Sequence, residues 1–225
     1  TDCRFENIVI NGFVVGFITT PAYLNQNDEA HVIDGMWLTN CREGIATTNS
    51  QERQMVVRNL RAWSSVQTVF DTYTYGAHRG EVPNIDGINI AGGVYQLFRF
   101  NGYGGYFPAI SVRNVYAELF YRIGDVIGVT VNFVDCHFAF GQPNDYGMKV
   151  QDNLMWTIGA NFSNCILIYY NGCCTVPMNF KADSYGRIKF DKCVITSPIS
   201  LMWNQWTEAP INIKYQDCGF YPQGG

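Results

Sequence analysis

The chain is poor in charge, in long apolar runs and in helical patterning. Only 15% of its 225 residues are charged, against roughly a quarter in an ordinary globular domain. Fifteen Lys and Arg face nineteen Asp and Glu, for a formal charge of −4. The cations are scattered, whereas a nucleic-acid or anionic-membrane surface needs them clustered, so neither partner is expected. No apolar run approaches the roughly 20 residues that span a bilayer, so membrane insertion is not expected either. Thr1-Asp2-Cys3-Arg4-Phe5-Glu6 has no signal-peptide layout. No stretch combines a sustained 3.6-residue period with helix caps, which removes the usual crossover element of parallel sheets. Cys-x-x-Cys is also missing, and the adjacent Cys173 and Cys174 would point to opposite faces of a strand. A sulfur-ligated metal site is therefore not expected, and nothing calls for a cofactor.

What the chain does have is aromatics, at 15%, eight cysteines, and a repeated phrase. Val131-Asn132-Phe133-Val134-Asp135-Cys136 alternates apolar and polar residues, then turns on an acidic residue before a cysteine. Ala160 to Cys165, Ile188 to Cys193 and Ile213 to Cys218 repeat it, and Met36-Trp37-Leu38-Thr39-Asn40-Cys41 is read as an earlier copy. Leu60 and Val115 take the cysteine's place in two more, after Asn59 and Asn114, and Asp2-Cys3-Arg4-Phe5 opens the chain on the same theme. The alternation is that of a strand with one buried face, and Asn or Asp suits a left-handed bend. Val115, Cys136, Cys165, Cys193 and Cys218 are spaced 21, 29, 28 and 25 residues apart, a solenoid period. A coil of that length cannot bury its own apolar face, so stacking is required. Cys3, Cys41, Cys136, Cys165, Cys193 and Cys218 are assigned to a buried stack in which cysteine acts as a small hydrophobe rather than a nucleophile.

The repeated apolar-x-apolar-x-Asn/Asp-Cys phrase, over residues 2 to about 220, resembles that of the right-handed single-stranded parallel β-helix, or pectin-lyase-like, superfamily. The resemblance implies an all-β solenoid of roughly 8–9 coils in one domain, residues 1–225, with the right-handed crossover that parallel strands prefer. That superfamily contains polysaccharide lyases and hydrolases as well as bacteriophage tailspikes and other virion appendages, and fold alone does not choose among them. Scarce charge and aromatic, Gly-rich turns such as Asn101-Gly102-Tyr103-Gly104-Gly105-Tyr106-Phe107 resemble the virion type. The chain opens on a complete phrase with no covering helix, so a module of a longer or oligomeric protein is expected, a homotrimer or an assembly with other virion chains.

Asn84-Ile85-Asp86-Gly87 and Arg187-Ile188-Lys189 resemble the outer motifs of polygalacturonase-type glycosidases, but no Asp-Asp pair or Gly-His-Gly lies between them. Asp86-Gly87 then reads as a turn, with Arg187 and Lys189 flanking a buried Ile188. Outward carboxylate candidates for glycan cleavage are Asp34, Asp71, Asp86, Glu118 and Asp125, where the separation of a pair would set the stereochemical outcome. Aromatic rings stack on the C–H faces of sugars, so Trp37, Trp63, Trp156, Trp203, Trp206, Tyr169 and Tyr170 are candidates for glycan contact. Alternation points Trp37 outward between Met36 and Leu38. The leading expectation is a tailspike-like structural module at a virion or extracellular surface that binds surface carbohydrate. A polysaccharide-degrading enzyme and an all-β capsid protein are the alternatives, and adjacent strands running antiparallel would exclude the solenoid.

Overall fold

Every strand pairing among the described residues is parallel, and each joins one copy of the repeat to the next. The computed structural model describes residues 3–19, 31–47, 55–71, 84–101, 109–127, 129–142, 144–151, 159–170, 174–180, 187–196 and 212–221. The chain is an all-β parallel solenoid, a β-helix, and no described residue is helical. One sheet stacks Arg4–Glu6, Val32–Asp34, Val56–Trp63, Asn84–Ala91, Ile110–Phe120, Thr130–Val134, Gly159–Ser163, Arg187–Asp191 and Asn212–Gln216 in that order. A second arm of the same sheet lies beyond a bend and runs from Val9–Asn11 to Gly219–Tyr221. The other sheet stacks seven strands, from Val15–Thr19 to Cys174–Phe180. Full two-sheet turns are therefore fewer than the eight to nine coils expected. The phrase marks a bend in the first sheet only, and its last two copies have no partner strand in the second sheet among the described residues.

The bend is made by one residue per rung in the left-handed region. Asn7, Asn59, Asn114, Asp135, Asn164, Lys192 and Asp217 have φ between 52° and 55°, and Gly35 and Gly87 complete the column at 73° and 78°. Asn and Asp reach this conformation more readily than other L-residues because their short side chains bond locally. The backbone ladder continues across it: the amides of Asn7, Gly35, Asp135, Asn164 and Lys192 donate to Asp34, Arg58, Ser163, Asp191 and Gln216 carbonyls at 2.9–3.1 Å. At Gly35 space also favours glycine, since a Cβ there would lie 2.7 Å from Asn7 Oδ1, whereas at Gly87 it would make only ordinary contact and the positive φ alone favours glycine. A second left-handed column, Gly12, Asn40, Ser64, Gly92 and Leu119, turns the chain toward the other sheet.

Inside the first bend, the residue after each left-handed position is apolar: Met36, Leu60, Ile88, Val115, Cys136, Cys165 and Cys193 are at most 2% exposed. Four cysteines do stack in successive rungs, with half-buried Cys218 at the end. Cys41 and Cys3 do not join them. Cys41 is buried beside the second bend, because Asn40 belongs to that column and the true first-bend phrase here is Ile33-Asp34-Gly35-Met36. Cys3 is exposed and precedes the first strand. Behind the thiols runs a pile of rings. Phe133, Phe162, Phe190 and Tyr215 stack with successive centroids 4.8, 4.9 and 5.1 Å apart and planes within 15°. Register forces this, since like side chains in a parallel ladder sit directly over one another.

The cysteine column is free of disulfides. Cys165 is pushed up to about 12, chiefly by its hydrogen bond with Cys136, with burial adding to it. Cys193 is raised as well, first by Cys165 and then by burial. Each thiol also donates to a carbonyl one rung earlier: Cys165 to Phe133 and Cys193 to Phe162, both at 3.5 Å. Protonated, buried thiols are poor nucleophiles. Mass mapping after brief iodoacetamide treatment at neutral pH should find Cys3 alkylated and Cys136, Cys165 and Cys193 untouched until denaturant is added. Equal labelling of all four would refute the buried stack.

Lys192 is the one first-bend position without a glycine or a side-chain amide or carboxylate. Its neighbour Asn164 donates from Nδ2 to Asp135 Oδ1 at 2.6 Å, leaving its own carbonyl facing the Lys192 rung. Lys192→Asn would relieve the left-handed penalty and extend the amide ladder, adding about 1 kcal/mol of stability. Urea unfolding should show the higher midpoint at an unchanged m-value.

Candidate functional site

Because the bend residue is left-handed, alternation restarts from it on every rung: the next residue points in and the one after points out. Outward positions on the second arm therefore form a column, Val9, Trp37, Arg61, Asn89, Tyr116 and His137, one residue per rung. On the first arm, the residue before the bend forms a facing column: Glu6, Asp34, Arg58, Asp86 and Arg113. Between them, over the bend itself, lies an open groove of about 620 Å³ lined by Asp34, Trp37, Asn59, Arg61, Asn89 and Tyr116 among others. Its floor is the strip of Gly35 and Gly87 backbone and the bend amides.

The groove's polar wall is built from amides. Asn59 Nδ2 donates to Asp34 Oδ1 at 2.8 Å, and Asn114 Nδ2 donates to Asp86 Oδ1 at 2.7 Å. In both cases the rung below has glycine at the bend, so the amide reaches the aspartate just before it. Asp34 and Asp86 also sit in register with Arg58 between them. Two rungs of about 4.8 Å put their backbones roughly 9.6 Å apart.

The aromatic wall has two stations. Trp37 is half-buried and meets exposed Trp63 edge-on with centroids 5.3 Å apart, while the Arg61 guanidinium lies over the Trp37 ring at 5.8 Å. Three rungs on, Tyr116 is 44% exposed and offers one ring face. Its other side leans on His137 at 4.9 Å and its hydroxyl donates to Glu118 Oε1, so the ring is braced at both ends.

The candidates read from sequence divide accordingly. Trp37, Trp63 and Asp34 lie at or beside the groove, Asp86 is on its facing column, and Tyr170 is exposed farther along the same side. Glu118 serves it indirectly, through Tyr116. Tyr169 does not belong there. It is 1% exposed and stacks on Phe140 at 4.3 Å, because counting from Cys165 places residues 167 and 169 inward. Asp71 is not outward either; it is 1% exposed, on the other sheet, where Arg99 Nη1 reaches it at 3.1 Å. Asp125 also lies on that sheet, 3.9 Å from Arg122. Arg187 and Lys189 flank buried Ile188 as expected, far along the stack, with Lys189 3.5 Å from Asp191. Trp156, Trp203 and Trp206 lie outside the described residues. Arg61, Asn89 and Tyr116 are the groove residues that sequence reasoning missed. The signal for them was present: each is the second residue after Asn59, Gly87 or Asn114.

Asn161, in a glycosylation-type sequon, is half-buried within a strand and donates from Nδ2 to Asn132 Oδ1 at 2.8 Å, a structural rung bond. Among the described residues no group of three or more His, Cys, Asp or Glu side chains is placed to hold a metal ion. Comparison of the chain with protein families, with curated proteins and with solved structures found no match.

Tyr116 ionises above its ordinary range, first because its hydroxyl is hydrogen-bonded to Glu118, with burial and the charges of Glu118 and Tyr170 adding to this. Selective ¹³C-tyrosine titration should show the Tyr116 phenol ionising late, as does Tyr215, which burial pushes up to about 12, and Glu118→Ala should bring the Tyr116 resonance alone back toward the ordinary tyrosine range. An unchanged titration would mean that Glu118 does not hold the ring.

Proposed function

We propose that this chain is a carbohydrate-binding structural module of a surface appendage, of the tailspike-like type within the pectin-lyase-like β-helices. One observation carries the reading: an open groove flanked by two aromatic stations, Trp37 and Tyr116, with side-chain amides between and opposite them. Sugar rings present apolar C–H faces to aromatic rings and hydroxyls to amides, and they need few charges to be held. The scaffold supports such a role, since Asp34, Trp37, Arg61, Asn89 and Tyr116 stand on strands paired on both sides and lose little freedom on binding. In that setting the module works at a virion or cell surface, as a homotrimer or beside other virion chains.

Binding without cleavage is favoured over glycan degradation by the carboxylates. Asp34 and Asp86 each accept an asparagine amide and each have Arg58 on an adjacent rung, so both are engaged by the groove wall itself. A general acid or base must instead present its carboxyl to the glycosidic oxygen or to a water.

Calorimetric titration against a panel of surface oligosaccharides is the test. Wild-type protein should bind at least one of them, and Trp37→Ala should weaken that binding about tenfold. Chromatography of the incubated ligand should show it intact. Shortened products that vanish with Asp86→Asn would replace this reading with the degrading enzyme, and an absence of binding across the panel would remove it.

A further inference from the structure

Resting on the carbohydrate reading above, we infer that the groove selects glycans bearing an anionic substituent, and that Arg61 is the residue that reads the charge. The order of side chains along the second-arm column is Trp37, Arg61, Asn89 and Tyr116 on four consecutive rungs. A guanidinium thus stands between two aromatic stations, at the place where a saccharide stacked on Trp37 passes to its next ring. A pyranose unit with its glycosidic oxygen advances a glycan by close to the 4.8 Å of one rung. A chain lying along the column therefore presents successive substituents to successive rungs, and the one beside Trp37 faces Arg61.

The charge balance of the two walls differs. On the facing column Asp34 and Asp86 stand on either side of Arg58 and each accepts an asparagine amide, while Glu6 at the first rung pairs with Arg4 of its own strand. On the second-arm column the rungs on either side of Arg61 carry Trp37 and Asn89. Among the described residues no carboxylate lies within ion-pair distance of Arg61, and its recorded partner is the Trp37 ring. An arginine stacked on an aromatic ring keeps its edge donors free to fork onto a planar or tetrahedral anion. Carboxylate, sulfate and phosphate share that chemistry, so a uronic-acid, sulfated or phosphorylated sugar satisfies it.

The test compares tetrasaccharides of matched backbone in four forms: neutral, uronic, sulfated and phosphorylated. Titration at low salt should rank at least one anionic form about fivefold to tenfold tighter than the neutral one, an advantage that shrinks as salt is added. In Arg61→Gln the ratio of anionic to neutral affinity should fall to about one. The best of the three anionic forms names the substituent. Equal binding of neutral and anionic forms by the wild type, or a ratio that survives Arg61→Gln, overturns the charge-reading role while leaving carbohydrate binding in place. Binding of none of the four overturns both.

Discussion

Each rung of this solenoid must hand its backbone hydrogen bonds to the rungs above and below it, and the bend is where that requirement is hardest to meet. A strand that turns sharply normally strands its amides. Here the turn is confined to a single left-handed residue, so the peptide groups on both sides stay aligned with the next rung and the ladder passes through the corner unbroken. Everything else inherits from that corner. It resets the alternation, so the residue after it always turns inward, and it brings that residue over its counterpart in every rung. The aliphatic-to-thiol column, the pile of phenylalanine rings and the outward columns are three consequences of one register.

The corner also explains what could be read from sequence and what could not. In the second half of the chain the phrase is legible because Asp135-Cys136, Asn164-Cys165, Lys192-Cys193 and Asp217-Cys218 all place a cysteine after the bend, and the spacing is even. In the first half two things hide it. Glycine at Gly35 and Gly87 performs the turn without the tell-tale amide, and a second left-handed column, containing Asn40, imitates the first. Met36 to Cys41 fits the phrase in letters while straddling two different corners. Pattern alone cannot separate them; only the pairing of Val32–Asp34 with Val56–Trp63 does.

Register decides the site in the same way. Trp37 could be placed outward from its immediate neighbours, yet Arg61, Asn89 and Tyr116 are separated from it by further repeats of the chain and become its neighbours only when the corners are aligned. The error over Tyr169 has the same origin. Counting inward and outward positions from the bend at Asn164 puts it in the core, whereas aromatic content by itself puts it anywhere. In a parallel solenoid the useful unit of sequence is the offset from the left-handed residue, and once that offset is known the composition of a face follows directly.

The geometry also bears on why such a scaffold suits recognition more readily than chemistry. Stacking repeats similar environments: a residue type at a given offset meets the same corner and often the same kind of bond, as Asp34 and Asp86 do in each accepting an asparagine amide from the next rung. Acid–base catalysis depends on breaking such similarity, so that one carboxyl holds its proton while its partner does not. A groove that binds a repeating polymer makes the opposite demand, because a ligand with a regular advance is best met by side chains with the same regular advance. Departures from repetition then become the informative positions. Along the second-arm column the departure is a lone guanidinium between two aromatic rings, and on the proposed carbohydrate reading a polymer sliding by one unit would lose that match, so the same residue would fix register as well as identity.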